Sequence, residues 1–114
     1  MAQYLLLLRD DGAAWTKMSP EEMQRTTERY MEWRNRPFVV GGQRLEVAGR
    51  VMAKKDGTIN VTDGPFSESR EVLGGYFAIE AKDFAEAVAL TMDNPHVDFG
   101  TIEIREVMPR PGAN

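Results

Sequence analysis

Two unbroken runs of apolar residues constrain the fold of this chain more than any other feature of its sequence. One is Tyr4 to Leu8, within MAQYLLLLRDD, and the other is Tyr76 to Ile79, within VLGGYFAIEA. Neighbouring side chains of a strand point to opposite faces of a sheet, so such runs predict strands that are covered on both faces. The leucine run is too short to span a bilayer and has neither a basic segment before it nor a cleavage site after it. We therefore expect a soluble protein without a membrane association.

The composition of the chain fits one globular domain. Its 114 residues, 42% of them apolar and 28% charged, are enough for a single core, and we place the domain at 1–108 with a flexible tail at 109–114. The sequence has no cysteine, which excludes disulfides, thiol nucleophiles and thiolate metal sites and is compatible with a reducing cytosol. We expect a cytoplasmic protein that carries no metal and no cofactor.

The charge pattern argues against nucleic acid as a partner. The net charge is −4, and the arginines between Arg25 and Arg36 are interleaved with Glu28 and Glu32. An acidic protein without a basic face has no general attraction to phosphates. We expect no direct binding to DNA or RNA.

Two segments have the start signals and periodicity of helices. In MSPEEM, Ser19 is a typical N-cap and Pro20 suits the first helical position; an apolar stripe then continues to about Arg36, before Pro37. The stripe consists of Met23, Thr26 or Thr27, Tyr30 and Trp33. Asp83 begins the second helix, in which Phe84, Val88 and Met92 form the stripe.

The remaining segments are predicted to be strands. Asp56-Gly57 favours a type I′ turn between two strand-like runs, and TIEIREV alternates as a final strand at 101–107. The order is strand, helix, strand, inserted hairpin, strand, helix, strand. This predicts an α+β fold of the ferredoxin-like βαββαβ type, an antiparallel sheet with two helices on one face.

The predicted sheet has one face without helices, and that face is also apolar. A soluble monomer rarely exposes a patch of that size. We therefore expect a homodimer in which two sheets bury their open faces against each other around a two-fold axis.

His96, the only histidine, lies in NPHVDFG after the second helix. A single histidine excludes a multi-histidine zinc site. It leaves two interpretations: general acid or base catalysis beside a carboxylate such as Asp98, or an ordinary histidine that packs in a loop.

The densest group of polar residues is NVTDGPFSESREVLGGY, 60–76. Asp63-Gly64-Pro65 has the residues of a turn, and the carboxylates that follow include Glu68 and Glu71. The segment is either a stiff connection or a set of proton-transferring carboxylates shielded by a cavity wall. Under the second interpretation the catalytic residues are Asp63 and His96. The ligand-binding residues are then Phe66, Glu68, Arg70, Tyr76 and Arg9.

The sequence closely resembles the DGPF-type branch of the YCII-related domain family. The resemblance covers nearly the whole chain. It is carried by VTDGPFSESREVLGGYF, IEAKDFAEAVAL, NPH and GTIEIREV, together with SPEEM, YMEW and VGGQRL.

The resemblance implies a bacterial protein with a ferredoxin-like fold that dimerises into an α/β barrel. Some relatives are thought to be enzymes that use a His-Asp pair, with the histidine on the first helix; Asp63 matches the aspartate, whereas the first helix here has no histidine. Other relatives occur beside sigma factors.

The resemblance leaves two functions open beside that of a plain structural dimer. The chain is either a homodimer that binds a small acidic or aromatic-derived ligand near the DGPF segment, with or without turnover, or a non-catalytic sensor or partner-binding module linked to sigma-factor-dependent transcription.

Overall fold

The computed structural model describes residues 1–64 and 71–111 of the chain. These two ranges contain six strands, three α-helices and one 3₁₀ turn, in mixed order. The strands are β1 (Ala2–Asp10), β2 (Val39–Arg44), β3 (Gly49–Lys55), β4 (Thr58–Gly64), β5 (Val72–Ala81) and β6 (Thr101–Glu106). The helices are α1 (Ala13–Thr16), α2 (Pro20–Arg34) and α3 (Phe84–Thr91), and the 3₁₀ turn spans Pro95–Asp98.

Four strands form an antiparallel sheet in the order β2-β5-β1-β6. Without the inserted β3–β4 pair, this is the strand order of a ferredoxin-like βαββαβ unit, so the α+β prediction is confirmed at the level of the single chain. The two apolar runs of the sequence lie in β1 and β5, which are neighbours at the centre of the sheet. Leu6 faces Phe77 across this pair, and Tyr4 faces Ile79.

The core lies between the sheet and helices α2 and α3. Leu6, Ile79 and Ala81 are completely buried on the sheet, Trp33 of α2 is 1% exposed, and Ala87 of α3 is completely buried. The Trp33 ring lies 4.9 Å from that of Phe77. Burial follows the period of two along β1 and the helical period along α2, which gives the core one side of each element.

Both predicted helix starts are confirmed. The Ser19 hydroxyl accepts a hydrogen bond from the Glu22 amide at 3.1 Å, and the Asp83 carboxylate accepts one from the Glu86 amide at 2.8 Å. Helix α2 ends at Arg34, two residues before the predicted end.

The side of α3 that meets the core differs from the side that carries its larger apolar residues. Ala87 and Thr91 are buried, whereas Phe84, Val88 and Met92 are 49%, 40% and 73% exposed. Small residues let α3 approach the sheet closely, so the larger stripe lies outward.

Strands β3 and β4 form a separate two-stranded sheet. Their turn is the predicted one, because Asp56 and Gly57 both have positive φ, 52° and 79°, as a type I′ turn requires. The radius of gyration is 16.5 Å, against about 13 Å for a compact domain of this length. The hairpin therefore projects from the body of the protein.

Candidate functional site

A cavity of about 260 Å³ lies between α2 and the helix-covered face of the sheet, beside α1. Its inner wall includes Leu8 and Asp10 of β1, Phe77 of β5 and His96 of the 3₁₀ turn. Because a water molecule occupies about 30 Å³ in the liquid, the cavity holds the volume of roughly nine waters. Ligand sites of nucleotide or drug size are larger than this, so the cavity suits a small organic molecule.

Asp10 is the last residue of β1 and, among residues 1–64 and 71–111, the only acidic residue in the wall of this cavity. It continues the inward alternation of Tyr4, Leu6 and Leu8 and is 7% exposed. Its Oδ1 accepts a hydrogen bond from the Gly12 amide at 2.7 Å. Gly12 has φ 79°, a conformation that favours glycine, and this turn leads the chain from β1 into α1.

His96 is 2% exposed and is fixed through both ring nitrogens. Nε2 lies 2.9 Å from the carbonyl oxygen of Arg9, and Nδ1 lies 2.9 Å from the hydroxyl of Tyr30 in α2. Asn94 caps the 3₁₀ turn by accepting a hydrogen bond from the His96 amide. His96 is therefore a structured, buried residue at the inner end of the cavity.

The partners of His96 determine where its proton lies. A carbonyl oxygen can only accept, so Nε2 carries a hydrogen and donates it to Arg9. In the neutral ring Nδ1 then accepts the hydrogen bond from the Tyr30 hydroxyl. The Asp10 Oδ2 atom lies 3.9 Å from Nε2, beyond hydrogen-bond distance but close enough to stabilise a positive charge on the ring.

Burial raises the pKa of Tyr30 well above the ordinary value of 10.0, and the negative charge of Asp10 raises it further. The phenol is therefore neutral across the physiological range and donates to His96. Tyr30 therefore does not act as a base in the form of a phenolate. Its oxygen can accept a proton from a ligand only if the hydroxyl hydrogen moves to His96 at the same time.

The raised pKa of Tyr30 predicts a loss of stability at alkaline pH. The contribution of Tyr30 to the free energy of unfolding is fully present below the pKa of 10.0 that the phenol has in the unfolded chain. It is lost as pH rises through the higher pKa of the folded protein, because the unfolded chain releases the phenol proton first. Between about pH 9 and about pH 11, the free energy of unfolding should fall by up to about 1.4 kcal/mol per pH unit more steeply in the wild type than in Tyr30→Phe. Urea titrations at each pH test this, and parallel curves would contradict it.

Aromatic rings and two arginines form the other side of the cavity. The Trp15 ring of α1 stacks beside Tyr30 at 6.1 Å, and Phe99 lies 6.3 Å from Tyr30. The Arg44 guanidinium lies over Trp15, 4.1 Å from the ring centre, and Arg34 of α2 also lines the cavity. Arg44 and Met31 are exposed, which identifies this side as the mouth.

The structure does not place Asp63 at this cavity. Asp63 lies in β4, opposite Arg50, and its side chain is 90% exposed and 3.5 Å from the Arg50 guanidinium. The turn predicted at Asp63-Gly64-Pro65 is wrong for its first two residues, because both belong to the β3–β4 ladder.

The predicted ligand-binding residues differ in their position relative to the cavity. The Arg9 side chain pairs with Glu103 at 2.6 Å and does not line the cavity, although its carbonyl holds His96. Tyr76 is among the residues that border the cavity, but the alternation of β5 directs its side chain to the opposite face of the sheet, beside Leu7. Phe66, Glu68 and Arg70 lie outside the described residues.

Sequence reasoning missed Asp10, Tyr30 and the two arginines of the mouth. The signal for Asp10 was present, because an acidic residue at the inward parity of an apolar strand must be buried or partnered. Tyr30 was assigned to the apolar stripe of α2, and no sequence pattern predicts that its hydroxyl contacts a histidine 66 residues away. Arg34 and Arg44 carried no local signal.

Neither a metal site nor a membrane span is found in the part of the chain that the structure describes. Over residues 1–64 and 71–111, no three histidine or acidic side chains come together as ligands. Within the same ranges, no helix has the length and apolar character needed to cross a bilayer.

Comparison with known sequences identifies a family for the chain. The profile of the YCII-related domain matches residues 2–110, nearly the whole chain. A search of the curated proteins finds no match. The matched region includes every element of the cavity.

Proposed function

We propose, from the premise that the chain belongs to the YCII-related domain family, that it binds a small acidic molecule in the cavity and transfers a proton there. One observation carries the proposal: Tyr30 and His96 are hydrogen-bonded to each other at 2.9 Å, beside the buried Asp10 carboxylate, in the wall of a cavity. A buried acid–base pair in a cavity is the arrangement that proton transfer requires.

The proposed step moves two protons. The ligand gives a proton to the Tyr30 oxygen while the Tyr30 hydrogen moves to His96 Nδ1, so the phenol is neutral before and after the step. The ring becomes an imidazolium, which donates from Nε2 to the Arg9 carbonyl and is stabilised by Asp10 at 3.9 Å. The ligand, bound as a carboxylate, gains a second negative charge, and return of the proton at another atom completes an isomerisation.

Deuterium exchange tests the proposal without a known substrate. Small carboxylic acids with an acidic C–H bond are incubated with the protein in D₂O, and deuterium incorporation is followed by NMR. We expect exchange of at least one acid, and a rate about 100-fold or more lower in His96→Asn and Tyr30→Phe, because general acid–base groups contribute about 10²- to 10⁴-fold.

Asp63→Asn is the matched control for this experiment. It removes the carboxylate that the family resemblance suggests, at an exposed position on the hairpin. The proposal predicts an unchanged rate in this variant. Exchange that depends on Asp63 and not on His96 would assign the chemistry to the DGPF segment, and a set of acids with no exchange in the wild type would contradict the proposal.

We further propose that the chain belongs to the DGPF-type branch of its family. The support is the motif TDGPFSESREVLGGY, which spans 62–76 and contains both the glycine-proline step and the paired glycines of β5.

A homodimer is also part of the proposal. Leu5 and Leu7 of β1 lie beside Ala78 and Tyr76 of β5 on the sheet face that points away from the helices, and all four are half-buried in the single chain. Apolar pairs on an open sheet face support a two-fold contact between sheets.

Sedimentation equilibrium at micromolar concentration tests the dimer. We expect a mass of twice 12.9 kDa for the wild type, and dimerisation weakened about 100-fold by Leu7→Arg, which brings charge to the centre of the contact from both copies. Val47→Arg, at a 62% exposed position before β3, should leave the dimer intact. A monomeric wild type would overturn this proposal.

A second candidate function is a module that binds a sigma factor. It is favoured by the projecting hairpin, where Met52, Ile59 and Val61 lie on one face and are 56% to 67% exposed. Direct binding of the purified chain to a purified sigma factor, lost in Met52→Asp/Val61→Asp, would support this function, and equal binding by that variant would contradict it.

A further inference from the structure

The arginines of the chain differ in whether an acidic residue lies close enough to form an ion pair. Within residues 1–64 and 71–111, four have a carboxylate partner within 4.0 Å: Arg9, Arg29, Arg36 and Arg50. Arg34 and Arg44 line the cavity, and no ion pair joins either of them to an acidic residue of these two ranges. Two cationic groups at the mouth of one cavity attract an anion. Within the described ranges the acidic residue of the cavity wall is Asp10, which lies at the inner end.

Arg44 is held in an orientation that suits a carboxylate. Its guanidinium covers the Trp15 ring at 4.1 Å, and Trp15 is itself supported by Tyr30 and Phe99. Stacking uses the flat face of a guanidinium and leaves the N–H groups around its edge free to bind both oxygens of a carboxylate. Trp15 thus orders a flexible side chain before a ligand arrives.

Arg34 is held by a different contact. Its Nε donates to the carbonyl oxygen of Gly42 at 3.1 Å, which leaves the two terminal amino groups of the guanidinium for another partner. Gly42 packs tightly on β5, since a Cβ there would lie 2.8 Å from the Phe77 ring. Because Gly42 has no side chain, β2 lies close to β5 at this position, and the Gly42 carbonyl accepts the hydrogen bond from Arg34.

We propose that Arg34 and Arg44 form a carboxylate receptor at the mouth of the cavity, and that the ligand class is a monocarboxylate with a neutral, mainly apolar body. This proposal rests on the proposed function and names its substrate class. The carboxylate binds at the mouth, and the body of the ligand passes between Leu8, Phe77 and Met31 toward Tyr30 and His96. A second carboxylate would meet Asp10 at the inner end and be repelled, so dicarboxylates are disfavoured.

Matched acid and amide probes test the receptor. Benzoate and benzamide have the same shape and differ in charge, as do hexanoate and hexanamide. The ¹H–¹⁵N spectrum has one indole signal from Trp15 at the cavity and one from the buried Trp33, which is an internal reference. We expect saturable movement of the Trp15 signal with the carboxylates, and binding of the amides at least about 10-fold weaker, a difference of one charge-assisted contact.

Three variants examine the receptor residues. Arg34→Gln and Arg44→Gln should each reduce the preference for acid over amide to about twofold or less, whereas Arg44→Lys should keep part of it, since lysine retains the charge without the planar fork. Arg50→Gln removes an arginine of the hairpin and should leave the preference unchanged. Acid and amide affinities in Trp15→Leu, measured by calorimetry, should converge because Arg44 loses its support.

The results distinguish the carboxylate receptor from the proposed proton transfer. Equal binding of benzoate and benzamide in the wild type, or unchanged preference in both glutamine variants, overturns the receptor even if deuterium exchange depends on His96. Arginine-dependent binding of benzoate supports the receptor even if no acid exchanges deuterium. No movement of the Trp15 signal with either carboxylate at about 10 mM, tenfold above a Kd of about 1 mM, overturns it as well.

Discussion

Gly100→Ala is expected to destabilise the protein by about 3 kcal/mol or more, a larger effect than any surface substitution. Gly100 lies between the 3₁₀ turn and β6, where the chain passes against the end of β1. A Cβ at this position would overlap the carbonyl oxygen of Arg9 and lie 2.9 Å from the Asp10 Cβ. Because both neighbours are held in β1, the overlap cannot be relieved by rotating a side chain.

The same substitution also disturbs the site, because the Arg9 carbonyl accepts the hydrogen bond of His96 Nε2. Urea denaturation of Gly100→Ala measures the stability loss. Gly49→Ala, at a position where no atom of the described ranges other than its chain neighbours lies within 4 Å of the added Cβ, is the control and should change stability by less than about 1 kcal/mol. Equal stability of the two variants would show that the backbone at Gly100 does not approach β1 in this way.

Trp33→Ala is expected to cost about 3 to 5 kcal/mol. The indole is the largest completely enclosed side chain of the core and contacts the rings of Phe77 and Phe38 at 4.9 and 5.5 Å. It joins α2 to the sheet on the same helix that supplies Tyr30 and Arg34. Removing it leaves a cavity that the rigid strands β1 and β5 cannot close.

Comparison with Trp33→Phe separates the packing of the ring from the hydrogen bond of the indole. This substitution keeps an aromatic ring in the core and removes the indole donor to Asp93, a partly buried hydrogen bond of 3.2 Å. We expect a loss of about 1 to 2 kcal/mol, because one hydrogen bond contributes less than the packing of the ring. A similar cost for both substitutions in chemical denaturation would place the stabilising role in the hydrogen bond instead.

The sequence was sufficient for the architecture because the fold is built from local signals that agree. The apolar runs identified β1 and β5, the caps at Ser19 and Asp83 identified α2 and α3, and Asp56-Gly57 identified the hairpin. Each of these signals acts over a few residues. The inward side of α3 was not predictable from hydrophobicity, since the close approach of the helix selected Ala87 over larger residues.

The site was harder to predict because its acid–base groups and arginines come from four separate elements. Asp10 ends β1, Tyr30 lies in α2, Arg44 ends β2 and His96 lies in the 3₁₀ turn. Their proximity depends on the packing of α2 over the sheet, which no local pattern encodes. The density of polar residues around Asp63 drew attention to the DGPF segment, but polar density alone does not distinguish an exposed hairpin from a cavity.

A ligand that binds in the cavity lies near His96, so the two imidazole nitrogens of this histidine report its binding. In a ¹H–¹⁵N spectrum of the free protein, we predict the Nε2–H tautomer, with Nδ1 as acceptor from Tyr30. Addition of benzoate should move both ring nitrogen signals in a saturable way and leave the Asp63 amide unchanged. Saturable movement of the Asp63 amide signal with unchanged His96 nitrogen signals would contradict a ligand site in the cavity and place the site at the hairpin.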